Sequence, residues 1–124
     1  MELFYRGDGV KRSYSVYYYD VIKDGTEIGE CELRWGDTGQ YGNIGYRIYQ
    51  DYRGNGYASE VVELLKEEAK EKGIGEIFIC CDKDNIASQR TAERCGARLV
   101  GEEDVSEDSE LYAYGKRKII RYVL

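Results

Sequence analysis

The segment Arg53-Gly54-Asn55-Gly56-Tyr57-Ala58 constrains this chain most. It stands between a stretch of alternating apolar character, Asn43 to Tyr49, and one of strong helical character, Ser59 to Lys72. Glycine at a strand-to-helix junction lets backbone approach a ligand closely, because no Cβ intervenes. A helix start also presents N–H groups without intrahelical partners and the positive end of the helix dipole. Together these features form a cradle for phosphate. An arginine at its lip suits a pyrophosphate, since its fork matches two oxygens at once. The segment therefore points to a phosphate-bearing cofactor.

A length of 124 residues reads as a single domain spanning 1–124, long enough to bury a core. The formal net charge of -6 argues against nucleic-acid binding, whose usual footprint is a basic face. It favours a cationic acceptor such as an amine. No apolar run approaches the roughly 20 residues of a membrane span, and Met1 to Arg6 lack a signal-peptide pattern. The four cysteines, Cys31, Cys80, Cys81 and Cys95, include no C-x-x-C pair. They read as small apolar fillers with reduced thiols, with no metal site and a cytoplasmic location expected. The chain has no histidine, which removes Ser-His and Cys-His pairs. Acid–base chemistry then falls to carboxylates, Tyr, Lys, Cys or water.

The periodicities predict β-β-β-α-β-α-β-β. Strands are expected at Ser13 to Lys23, at Glu27 to Trp35 after the Asp24-Gly25 turn, and at Asn43 to Tyr49, forming a meander. In the last of these, Ile44, Tyr46 and Ile48 share a face. Ala58, Val61, Val62, Leu65 and Ala69 mark the buried face of the long helix, with Gly73 as its stop. Glu76 to Asp82 reads as a strand buried on both faces. Asn85 caps a second helix to Arg94, closed by Gly96. Ala97 to Glu103 and Lys118 to Val123 are strands, and the acidic run Glu102 to Glu110 is a loop. Met1 to Arg6 supplies an extra edge strand. The fold class is mixed α+β, with helices packed on a central sheet.

These residues resemble the GNAT superfamily of acyl-CoA-dependent N-acetyltransferases, within it the branch that acetylates ribosomal-protein N-termini. The family's Arg/Gln-x-x-Gly-x-Gly/Ala signature is met by Arg53 to Ala58, followed by Glu60. A downstream Asn, Ser three on and Gly eleven on are met by Asn85, Ser88 and Gly96. Two motifs in order carry far more weight than one glycine motif. The resemblance implies a mostly antiparallel sheet that splays between its fourth and fifth strands. It implies acetyl-CoA as co-substrate, with the N–H groups of Arg53, Gly54, Asn55, Gly56, Tyr57 and Ala58 on the pyrophosphate. Backbone of Tyr46 and Ile48 would pair with the pantetheine amides. Asn85 would bond the cofactor arm, Arg90 would reach a CoA phosphate, and Ser88 would protonate or orient the departing thiolate. The implied reaction is direct acetyl transfer to a primary amine: a protein N-terminus, a polyamine or another small molecule.

The sequence departs from the family in three places. Only about a dozen residues precede Ser13, where members carry a strand and two helices, so those helices are expected to be missing. The acceptor site is then either open or completed by a second copy in a homodimer. Asn43 stands where many members place a general base, which leaves Glu32 or Glu30 to relay a proton through water. Ala92 stands where many members carry an acidic tyrosine, which passes the role to Ser88. Two rival readings stay open: a GNAT-fold module that binds acyl-CoA without catalysis, and a scaffold without cofactor. The stripe Tyr17-Tyr18-Tyr19 has no interleaved basic residues, so it reads as packing or a dimer edge rather than a nucleic-acid surface. The acidic run is either a solvated face or a lure for a cationic acceptor.

Overall fold

A computed structural model of the chain describes residues 1–11 and 13–124. The elements run β1 (Glu2–Lys11), β2 (Tyr14–Lys23), β3 (Thr26–Gly36), β4 (Ile44–Ile48), α1 (Tyr57–Glu71), β5 (Phe78–Asp82), α2 (Ile86–Arg94), β6 (Arg98–Asp104), α3 (Glu110–Ala113) and β7 (Lys118–Val123). Every predicted strand and helix is present in the predicted order. The expected edge strand is longer than Met1 to Arg6 and hairpins directly into β2. Among the described residues no helix lies between β1 and β2. The acidic run is not simply a loop. Its first residues extend β6, and its last opens α3, whose Ser109 side chain caps the Tyr112 N–H. Nor is it a free acidic face. Glu103 bonds Arg121 at 3.0 Å, Glu102 pairs with Lys83 at 2.7 Å, and Asp104 pairs with Lys118.

Two sheets result. One is ordered β1-β2-β3-β4 and the other β5-β7-β6, with antiparallel ladders throughout. The tyrosine stripe lies on β2, an interior strand rather than an edge. Tyr19 is buried in the core, Tyr17 stacks on Trp35, and Tyr18 turns to the opposite face, as the two-residue period of a strand requires.

Helix α1 bridges the sheets. Val61, Val62, Leu65 and Ala69 form its buried stripe, packed among Val21, Leu33, Ile44 and Ile48 of the first sheet and Ile79 and Tyr122 of the second. Burial of each large side chain in that stripe contributes about 1.5–3 kcal/mol. The helix ends at Gly73, whose N–H donates to the Lys70 carbonyl while the Ile74 N–H returns to the Ala69 carbonyl. Gly96 closes α2 with the same bond pattern.

Asn43 holds the two sheets together at one end. Its N–H donates to the Phe78 carbonyl at 2.8 Å, and its Oδ1 accepts from the Phe78 N–H at 2.8 Å. Its Nδ2 donates to the Arg34 carbonyl at 3.0 Å, and its own carbonyl accepts from the Arg34 N–H at 2.7 Å. The residue is only 7% exposed. Beyond this clasp, the single bridge Gly42–Ile79 is the only sheet pairing between the two sheets among the described residues. From there β4 and β5 diverge, which is the expected splay. Replacing Asn43 with Ala strands a half-buried N–H on Phe78 and a half-buried carbonyl on Arg34. Each lost partner costs about 1–3 kcal/mol. Urea unfolding of Asn43→Ala should show stability lower by about 2–4 kcal/mol with an unchanged denaturant slope.

Candidate functional site

Between β4, the start of α1 and α2 lies a cleft of about 570 Å³. Its walls include Tyr46, Ile48, Arg53, Gly54, Gly56, Tyr57, Ala58, Asn85, Ser88 and Arg90. Those are the residues expected to hold cofactor or catalyse, brought to one place, with Asn55 and Glu32 as the exceptions.

At the helix end, Gly54 and Gly56 have φ of 82° and 76°, the left-handed region that disfavours a Cβ. Gly56 is the N-cap of α1, and among the described residues no side chain caps that helix start. The N–H groups from Gly54 to Ser59 find no acceptor outside the helix among the described residues. A Cβ built on Gly54 or Gly56 would meet nothing within 4 Å. These glycines therefore serve backbone conformation and open approach rather than packing. Asn55 turns its side chain away from the cleft, donating from Nδ2 to the Tyr52 carbonyl at 3.0 Å. It stiffens the loop, so only its main chain is left for a ligand.

The cleft is electropositive in an acidic chain. Arg47, Arg53, Arg90 and Arg94 line it, and no carboxylate does among the described residues. Arg53 also ties the loop to the strand, its Nε donating to the Ile48 carbonyl at 2.8 Å. Its Nη groups carry no protein hydrogen bond among the described residues. Arg47 and Arg94 were not foreseen in the sequence. Arg47 alternates with the apolar face of β4, and Arg94 lies one turn beyond Arg90.

Strand β4 offers a free edge. Beside its ladder with β3, the Asn43 carbonyl accepts from the Arg34 N–H and the Tyr49 N–H donates to the Ile28 carbonyl. Antiparallel alternation then directs the N–H and C=O of Tyr46 and the N–H of Ile48 away from β3, toward the splay. The Ile48 carbonyl is already taken by Arg53. Tyr46 is thus the residue whose two main-chain groups are both available.

The side chain of Tyr46 is the feature sequence reasoning missed. Its Oη lies 3.5 Å from Ser88 Oγ, across the gap between β4 and α2. Asn85 fixes the start of α2 by accepting from the Ser88 N–H at 3.1 Å, so the capping role holds and its Nδ2 stays available. Ala92, one turn beyond Ser88, is fully buried in the core. A side chain at that position points into the protein and not into the cleft.

Two further cavities meet the cleft at Tyr46. One, of about 280 Å³, lies in the splay and shares Tyr46, Asn85 and Ser88 with the cleft. Cys80 and Cys81 line it, and burial pushes both thiols up to about 11. The other is a trough of about 640 Å³ on the sheet face opposite α1, reaching from β1 to Tyr46. There Glu32 alternates with the buried Cys31 and Leu33. Its Oε1 accepts from Arg34 Nη2 at 3.0 Å, while its Oε2 is buried without a hydrogen-bond partner. A Cβ on Gly45 would sit 2.3 Å from Arg34 Nη2, so the glycine leaves room for this guanidinium where it lies over β4. Glu30 is more exposed and pairs with Arg47 at 3.2 Å.

Comparison with solved structures returns the same fold. A microcin C7 self-immunity acetyltransferase, MccE, solved with acetyl-CoA and AMP, matches with TM-score 0.70 at 22% identity over 88% of this chain and 60% of that one. RimL, a ribosomal L7/L12 alpha-N-protein acetyltransferase solved with coenzyme A, matches with TM-score 0.68 at 21% identity, over 88% and 61%. A putative ribosomal-protein-serine acetyltransferase from Vibrio cholerae matches with TM-score 0.67 at 26% identity, over 88% and 63%. The chain thus spans about three-fifths of the length of these relatives. Residues 3–98 match the acetyltransferase (GNAT) domain model, and on that match the chain belongs to the GNAT acetyltransferase family.

Proposed function

We propose that this protein binds acetyl-CoA in the arginine-lined cleft and transfers the acetyl group directly to a primary amine presented from the trough. The observation that carries this reading is the row of open N–H groups from Gly54 to Ser59, set at the front of a fifteen-residue helix and flanked by arginines. The residues fit the diphosphate of a CoA: donors without protein acceptors, glycines where a Cβ would project into open space, and no opposing carboxylate. Acetyl-CoA, when bound, supplies the acetyl group as a reactive thioester. The free edge of Tyr46 is suited to the amide-bearing arm, as an added strand would be.

Proton traffic has a partner on each side of Tyr46. On the trough side, Glu32 Oε2 is a buried acceptor in need of a donor, and an ammonium satisfies it. Glu32 would take that proton, directly or through water, and free the amine for attack. On the cleft side, the hydroxyls of Ser88 and Tyr46 converge where a leaving thiolate needs a proton. A covalent acetyl-cysteine route is disfavoured. Thiols held up to about 11 are almost wholly protonated near neutrality. Positioning alone contributes about 7 kcal/mol or more when two reactants are held in contact. The acceptor class remains a primary amine of a peptide N-terminus, a polyamine or a small molecule. Along the trough Glu30 pairs with Arg47, and Arg6, Lys11 and Arg34 stand beside the two glutamates, so the case for an amine acceptor rests on Glu32 Oε2 alone.

A second reading, a CoA-binding module without turnover, draws support from Asn43 and Ala92. Both positions serve structure here rather than acid–base chemistry. Thiol release separates the readings: binding of CoA with no thiol released across a broad amine panel would support the module. Glu32→Gln should lower kcat by about a hundredfold while leaving CoA affinity intact, and Ser88→Ala should act in the same direction. Steady-state kinetics beside calorimetry checks both.

The cradle has its own test. Asn and Asp both tolerate the left-handed region better than other side chains. Gly56→Asn should therefore weaken CoA binding modestly, whereas Gly56→Asp should weaken it roughly thirtyfold or more through charge repulsion. Equal affinities for the two variants by titration calorimetry would place the diphosphate elsewhere.

A further inference from the structure

Strand β1 is an edge whose outer side carries no pairing among the described residues. Along its ten residues Phe4 is 64% exposed, Tyr5 51% and Val10 80%. A long uncovered edge bearing such side chains is a template for another strand. We propose that its occupant is β1 of a second copy, paired antiparallel about a two-fold axis to give one continuous eight-stranded sheet.

The register follows from the β1–β2 ladder. Tyr5 faces Tyr19, but Gly7 faces Tyr18, so the pairing shifts at Arg6. Before the shift, Leu3 and Tyr5 stand on the α1 side of the sheet and Glu2 and Phe4 on the trough side. After it the parity reverses: Asp8 and Val10 stand on the α1 side, Gly7, Gly9 and Lys11 on the trough side. Directly opposed residues in a sheet share a face. A strand with one such shift can therefore pair with its own copy only where a residue before the shift meets one after it of the opposite parity. The register that opposes Glu2 to the partner's Lys11 meets this condition and pairs all ten residues. It also sets Leu3 against the partner's Val10, Phe4 over the partner's Gly9, and Tyr5 beside the partner's Asp8. Sliding by two residues in one direction opposes Leu3 to an aspartate, and in the other leaves Glu2 with nothing opposite. Charge and apolarity thus agree on one self-complementary arrangement, with the axis between Arg6 and Gly7.

The pairing bears on the trough. Arg6, Gly7, Asp8 and Lys11 form its β1 side, where the sheet now stops. A partner strand continues the sheet past that side and brings the partner's Glu2 and Phe4 onto the trough face. The proposal rests on β1 and its ladder, independently of acyl transfer.

Sedimentation velocity across a wide range of concentrations tests it. The wild type should sediment at twice the chain mass at high concentration. Glu2→Lys alone and Lys11→Glu alone each put like charges opposite one another twice, and each should raise the dimer dissociation constant roughly tenfold. The double exchange should restore it. Both residues are exposed, and circular dichroism checks that the variants stay folded. A chain monomeric at every concentration overturns the proposal. A dimer indifferent to the single exchanges, or not restored by the double one, overturns it equally, because the interface then lies elsewhere.

Discussion

Asn43 is the joint on which the molecule turns. Its backbone and amide together engage Arg34 on β3 and Phe78 on β5, so one residue carries four hydrogen bonds across the end where the two sheets meet. A fully laddered β4–β5 contact would have closed the sheet and left no interior opening. With no clasp, α1 and the bonds of Gly39 and Gln40 to Arg121, Glu103, Asp104 and Ser106 would have to hold the halves. A short, well-satisfied polar bridge gives sheets that are fixed at one end and separated at the other. Buried polar groups contribute in this way only when every partner is met, and here each is.

The cleft and the smaller cavity open from that separation, the trough runs over the first sheet's other face, and Tyr46 borders all three. Its main chain faces the splay and its phenol meets Ser88. The cleft on one side is basic, and the trough on the other mixes Glu30 and Glu32 with Arg6, Lys11, Arg34 and Arg47. A chain with a net charge of -6 thus gathers unopposed arginines where an anionic cofactor is proposed, and keeps one buried, under-satisfied glutamate oxygen where an amine is proposed. The sheet face under the trough is bare because β1 hairpins directly into β2.

The fold was legible because its signals are local. The 3.6-residue stripe from Val61 to Ala69, the Asn85 cap and the Gly73 and Gly96 stops all act within a few residues of themselves. So was the cradle, since left-handed glycines before a helix are a backbone property. What escaped was non-local. Asn43 was weighed only as a base lost from the family pattern, whereas its partners lie 9 and 35 residues away. The phenol of Tyr46 reaches 42 residues along the chain to Ser88, and no periodicity reports that. The acidic run read as free charge because its cations, Arg121 and Lys118, arrive from β7. Arg53 was assigned wholly to phosphate, yet its Nε is spent on Ile48.

The central claim is that main-chain amides at the front of α1 grip a diphosphate. Amide resonances of Gly54, Gly56, Tyr57 and Ala58, followed by nuclear magnetic resonance, test it most directly. Titration with CoA should shift them saturably, while pantetheine, which lacks the diphosphate, should leave them near their starting positions. Amides that stay still under CoA while resonances elsewhere move would contradict the account.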